Sequence, residues 1–73
     1  MTIIKEEERL RIGQRIAELR KEQNLTQTQL AERCGLQQAH IARIETGRYS
    51  VVLDTLALIA EALDRKIDFI IND

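Results

Sequence analysis

The chain has 73 residues, 44% of them hydrophobic and 32% charged, with a formal net charge of −1. At this length a single domain over residues 1–73 is expected, burying only about 60% of its unfolded surface, so oligomerisation is an expected source of added stability. No apolar run approaches the ~20 residues of a membrane span, no signal-peptide pattern opens the chain, and the lone Cys34 excludes an intrachain disulfide; together these predict a cytoplasmic protein without a membrane partner.

The first helix is expected from about Glu6 to Gln23. Ile12, Ile16 and Leu19 form its buried stripe, acids gather at its start, and Asn24 is suited to end it. Gly13 interrupts the pattern at a cost of about 1 kcal/mol against alanine, so either the regular helix begins after it or a neighbouring stretch of chain approaches closely there. A second helix reads from Gln27 to Cys34, with Thr26 as N-cap, and the turn is Cys34-Gly35-Leu36. A third helix runs from about Gln37 to Glu45 and stops at Thr46-Gly47. Helices this short are unstable alone and must pack crosswise through Leu30, Ala31, Leu36, Ile41 and Ile44. Residues 26–46 therefore read as a helix-turn-helix whose second helix presents its outer face to a major groove.

The fourth helix is expected from about Leu53 to Leu63, with Leu53, Leu56, Ile59, Ala60 and Leu63 at helical spacing, lying over the other three as a lid. The pattern then changes. Over residues 66–72, Ile67, Phe69 and Ile71 alternate strictly, which predicts a strand. A single strand has no partner within a helical domain, so its backbone groups point to the same strand of a second copy about a two-fold axis; a short fifth helix or a frayed tail is the alternative.

Charge supports the nucleic-acid reading through its distribution. Residues 1–8 carry one base and three acids, residues 9–48 eight bases and four acids, and residues 49–73 two bases and five acids. The basic excess thus falls on the helix-turn-helix and the helix before it. On the third helix Leu36, Ile41 and Ile44 face inward, leaving Ala39, Ala42, Arg43 and Thr46 outward and Gln38 at the edge. Arg43 can give two hydrogen bonds to guanine O6 and N7, Gln38 can bond adenine N6 and N7, and Ala39 can touch a thymine methyl. Arg48 suits a phosphate. His40, on the flank, either touches phosphate or packs on a neighbour.

Catalysis is not expected: there is one histidine, one cysteine, no glycine-rich phosphate loop and no carboxylate cluster at a plausible site. Cys34 and His40 supply two of the four ligands a structural zinc needs. No metal or cofactor is therefore expected, and Cys34 reads as a small buried apolar residue.

From IGQRIAELRKEQNLTQTQLAERCGL through QQAHIARIETGR to LDTLALIAEALD, about fifty consecutive residues, the chain resembles the Cro and phage-repressor (XRE-type) family of helix-turn-helix regulators. The resemblance implies an all-α, compact bundle of four to five helices that binds operator DNA as a dimer. It implies that Gln27 contacts phosphate, that Gln37, Gln38, Ala39 and Arg43 occupy recognition positions, and that Arg20 and Glu45 form a salt bridge between the first and third helices. Three places depart from the family pattern. Gln37 replaces the usual serine or threonine cap, which frees that side chain for DNA. Val51 and Val52 replace the usual proline and serine, and KIDFIIND stands where a fifth helix often lies, a variant that resembles some small antitoxin-type regulators with an intersubunit strand. Two alternatives to a plain transcriptional regulator follow: an antitoxin that binds a toxin and represses its own promoter, or a protein-interaction module on the same scaffold. The basic bias of residues 9–48 argues against the last.

Overall fold

A computed structural model describes the backbone of residues 2–69 and the side chains of residues 5–69. Four helices follow in chain order: α1 Thr2–Glu22, α2 Gln27–Cys34, α3 Gln38–Glu45 and α4 Leu53–Ala62. This is the all-α helix-turn-helix bundle expected, with differences at the ends of its elements.

α1 begins four residues earlier than the acid cluster suggested. Its first turn holds no acid, so Glu6, Glu7 and Glu8 lie past the turn where the macrodipole would favour them. The helix is regular through Gly13, because the alternative holds there: the end of α3 approaches closely. A Cβ on Gly13 would lie 2.7 Å from the Glu45 carbonyl oxygen and closer still to that of Ile44. Only glycine admits that contact. Asn24, at φ 59°, ends the helix in the left-handed conformation, and the Leu25 amide donates to the Arg20 carbonyl at 3.0 Å.

α2 opens with a complete capping box: the Thr26 hydroxyl accepts from the Gln29 amide at 3.0 Å while the Gln29 side chain accepts from the Thr26 amide at 2.8 Å. It closes where the Leu36 amide donates to the Ala31 carbonyl at 2.9 Å. α3 starts one residue later than expected. Gln37 is its N-cap, extended at φ −89° and ψ 149°, and its side chain makes no cap bond, as an amide longer than serine reaches less readily to the first turn. Thr46 ends α3 and turns its hydroxyl back to the Ala42 and Arg43 carbonyls, both at 3.1 Å. Gly47 follows at φ 74°, with space for a Cβ only 2.9 Å from the Leu10 Cα; two independent reasons thus require glycine there.

The core gathers Ile16 and Leu19 from α1, Leu30, Ala31 and Cys34 from α2, Ile41 and Ile44 from α3, and Ile59 and Leu63 from α4 and its end, with Leu25 between α1 and α2. α3 packs on both α1 and α2, and α4 packs on α2. The expected lid over all three helices is thus narrower. Between α1 and α4 there remains a cleft of about 200 Å³ lined by Ile12, Ile16, Leu56, Ile59 and Ile67 among others. Leu53, expected in the buried stripe, is 66% exposed at the first residue of α4.

After α4 the left-handed Asp64, at φ 57°, turns the chain, and residues 65–69 take no regular secondary structure in the single chain. The strand expected over residues 66–72 is therefore absent among the described residues, where it has no strand to pair with. Ile71 lies outside them. Ile67 lines the α1–α4 cleft and Phe69 is 98% exposed.

Candidate nucleic-acid interface

The face of α3 that turns away from α1 and α2 exposes Gln38, Ala39 and Arg43, with Gln37 just before the helix and Arg48 just after it. Ile41 and Ile44 fix the opposite face in the core. The outer surface is small at its centre and polar at its margins, the shape and chemistry that admit a helix to base edges.

Behind this face stands a buried ion pair. The Arg20 Nε donates to Glu45 Oε2 at 2.7 Å and its Nη2 to Oε1 at 3.1 Å, while Nη1 reaches the Leu25 carbonyl at 2.8 Å. The two side chains are only 10% and 5% exposed. A two-bond fork of this kind suits arginine, and the Glu45 hydrogen bond holds the guanidinium pKa above its ordinary value against the opposing effect of burial. The pair ties α1 to the last residue of α3.

From that pair a chain of hydrogen bonds leads outward. The Gln27 amide donates to Glu45 Oε1 at 3.0 Å, and the Gln38 amide donates to Gln27 Oε1 at 2.7 Å. Gln27, the first residue of α2, and Gln38, the first of α3, are thus joined side chain to side chain. These bonds orient both glutamine side chains in the free protein.

Among the described residues the ion pairs are Arg11–Glu8, Arg15–Glu18 and Arg20–Glu45, and Arg43 and Arg48 enter none of them. Glu8 has its carboxyl held below the usual range by the Arg11 hydrogen bond. The Arg43 guanidinium lies over the Tyr49 ring, 5.8 Å from its centroid. His40 meets the same ring edge-on at 4.9 Å and 85°. Its packing partner is therefore within the chain, and its Nε2 is out of solvent with no hydrogen-bond partner. Tyr49 was not singled out from the sequence; its place just beyond the basic end of α3 was the available signal. Cys34 is buried with its Sγ 3.9 Å from the Leu58 carbonyl, and burial pushes its thiol pKa up. Among the described residues no three His, Cys, Asp or Glu side chains converge to hold a metal, and no helix is long and apolar enough to cross a membrane.

Two short helices joined by a tight turn, with the second held against the core and its outer face exposed, define the helix-turn-helix class. The family model described as helix-turn-helix matches residues 16–70. The chain belongs to that family, in its Cro and phage-repressor (XRE) type, a family of DNA-binding transcription regulators. It is 44% identical over 62 residues to an immunity repressor protein of Bacillus phage phi105, a match that covers 85% of this chain and 43% of that protein. It is 49% identical over 51 residues to an uncharacterized HTH-type transcriptional regulator of Methanothermobacter thermautotrophicus, covering 70% of this chain and 74% of the other. The chain thus spans less than half the length of the phage repressor and about three-quarters of the archaeal regulator. Among solved structures it is similar to the restriction-modification controller protein C.AhdI from Aeromonas hydrophila, with a TM-score of 0.80 and 33% identity over 84% of this chain and 88% of that one.

Proposed function

We propose that the chain is a sequence-specific, non-enzymatic regulator of transcription that acts in the cytoplasm by occupying operator DNA as a homodimer, with α3 in the major groove. The observation that carries this reading is the outer face of α3: Gln38, Ala39 and Arg43 exposed on a helix whose other side is locked to α1 and α2. Arg43 reads guanine, Gln38 reads adenine, Ala39 meets a thymine methyl, Gln37 occupies the recognition position at the start of α3, and Gln27 and Arg48 hold the flanking backbone. His40, turned onto Tyr49, supports the helix flank. Two-fold pairing of residues 66–72 would bury Ile67, Phe69 and Ile71 and set the two α3 helices about 34 Å apart, one turn of the duplex. The strict alternation of those residues and the full exposure of Phe69 support it.

The test is binding to a mixed-sequence duplex as a function of salt. If a dimer neutralises roughly four to six phosphates, log K falls against log salt with a slope of about −4 to −5. Binding that is absent at low salt, or indifferent to salt, overturns the reading. Selection from a random duplex pool then gives the operator, whose two half-sites should be symmetric.

A further inference from the structure

Tyr49 lies outside the helix-turn-helix, yet it touches two α3 side chains at once. The residue is 39% exposed, so it lies at the protein surface beside α3. Arg43 lies over the ring and His40 meets it edge-on, and these two residues sit three apart on α3, one helical turn. Tyr49 also lines a crevice with Glu8, Arg9 and Ile12 of α1, Ile44 of α3, Val51, and Leu56 of α4, where Glu8 is paired with Arg11. The ring therefore borders a crevice between three helices, and its direct contacts are with His40 and the Arg43 guanidinium of α3. Among the described residues no carboxylate competes for that guanidinium.

An arginine side chain has several rotatable bonds, and a guanine edge accepts it in one planar orientation. A cation held over an aromatic face loses part of that freedom before binding, which lowers the cost of ordering it at the base. We infer that Tyr49 is a positioning residue for base recognition: it aims Arg43 at guanine, so the sequence preference of α3 depends on a residue beyond the helix. The inference rests on the operator-binding reading and adds to it the residue that sets the strength of the guanine preference.

The test compares Tyr49→Phe, which keeps the ring, with Tyr49→Leu, which removes it, on the operator selected by the wild-type protein. Arg43→Ala first identifies the guanine at which discrimination disappears. Tyr49→Leu is then expected to lower discrimination at that one position about two- to fivefold per half-site, the size of an exposed cation–π contact. Affinity for mixed-sequence duplex and its salt slope should not change, which also verifies that the variant is folded. Tyr49→Phe should match wild type. In the Arg43→Ala background, Tyr49→Leu should have no further effect. The inference is overturned if Tyr49→Leu leaves discrimination intact, if it weakens all sequences alike, or if Tyr49→Phe loses as much as Tyr49→Leu, which would assign the effect to the hydroxyl. A wild-type protein that binds no duplex fails at an earlier step and overturns the operator reading itself. In the free protein, the Arg43 side-chain protons should show an upfield ring-current shift in wild type and Tyr49→Phe that is lost in Tyr49→Leu; its absence in wild type also overturns the inference.

Discussion

The junction of α1 with α3 and the segment that follows α4 treat their side chains in opposite ways. At the junction, Gly13 brings two backbones together, Arg20 and Glu45 satisfy each other out of solvent, and the glutamine chain carries that order to the surface. After α4, Ile67 lies in an open cleft and Phe69 is almost wholly exposed. The outer face of α3 is thus supported from within the bundle, whereas the C-terminal segment presents apolar surface that the described residues do not cover. Position and support of the α3 side chains are solved within the helical bundle, and the proposed dimer draws on residues far from it.

The largest expected effect is at the buried pair. Arg20→Ala leaves Glu45 buried without its main partner and should destabilise the fold by about 3–5 kcal/mol, and Glu45→Ala should cost a similar amount. Replacing both should cost less than the sum of the two. A double-mutant cycle on urea unfolding measures the coupling, and additive losses would remove the pair from the contrast. The glycine contact comes next. Helix propensity alone makes Gly13→Ala stabilising by about 1 kcal/mol, but its methyl meets the Glu45 carbonyl, so overpacking of up to about 3 kcal/mol should reverse the sign. An exposed control, Leu53→Ser, should stay within about 0.5 kcal/mol.

In the other region the effect should depend on concentration. Phe69→Ser removes a side chain with almost no intrachain contact, so at dilute, monomeric concentrations stability should not change. If residues 66–72 pair across a two-fold axis, the same substitution weakens the dimer by about 2 kcal/mol per buried ring. Sedimentation reads this directly. A dimer constant unchanged by Phe69→Ser would place the interface elsewhere and sever the C-terminal segment from association.

How far the sequence revealed these features follows the range of the interactions. Thr26, Gly35 and Asn24 act on backbone within a few residues, and such short-range chemistry can be read directly from residue order. Apolar spacing likewise found the buried stripes of α1, α2 and α3. It misjudged Leu53, because periodicity reports the side of a helix but not whether its first residue is covered. Gly13 signalled an anomaly whose cause, the α3 carbonyls thirty residues on, lies in the packing. The Gln27–Gln38 bond and the Tyr49 contacts needed the three-dimensional arrangement for the same reason. The acids at positions 6–8 mislocated the start of α1 because charge favours a helix end without fixing it.

The smallest expected effect lies on the seam between α2 and α4, where Cys34 faces the Leu58 carbonyl. Burial raises the thiol pKa in the folded chain, whereas an unfolded cysteine titrates at about 8.5. Between those two values the folded state keeps a proton that the unfolded state has lost, so unfolding releases it and stability falls as pH rises. The contribution is fully present below the unfolded pKa and is lost as pH rises through the folded one. Cys34→Ala lacks this ionisation, and other groups titrate alike in both proteins. The stability difference between wild type and Cys34→Ala, measured by urea unfolding under reducing conditions, should therefore be constant from pH 6 to about 8 and shrink above about 8.5. A difference that stays constant through the alkaline range would mean that the thiolate is tolerated in place, and that the α2–α4 seam opens to water more readily than the tightly held α1–α3 junction.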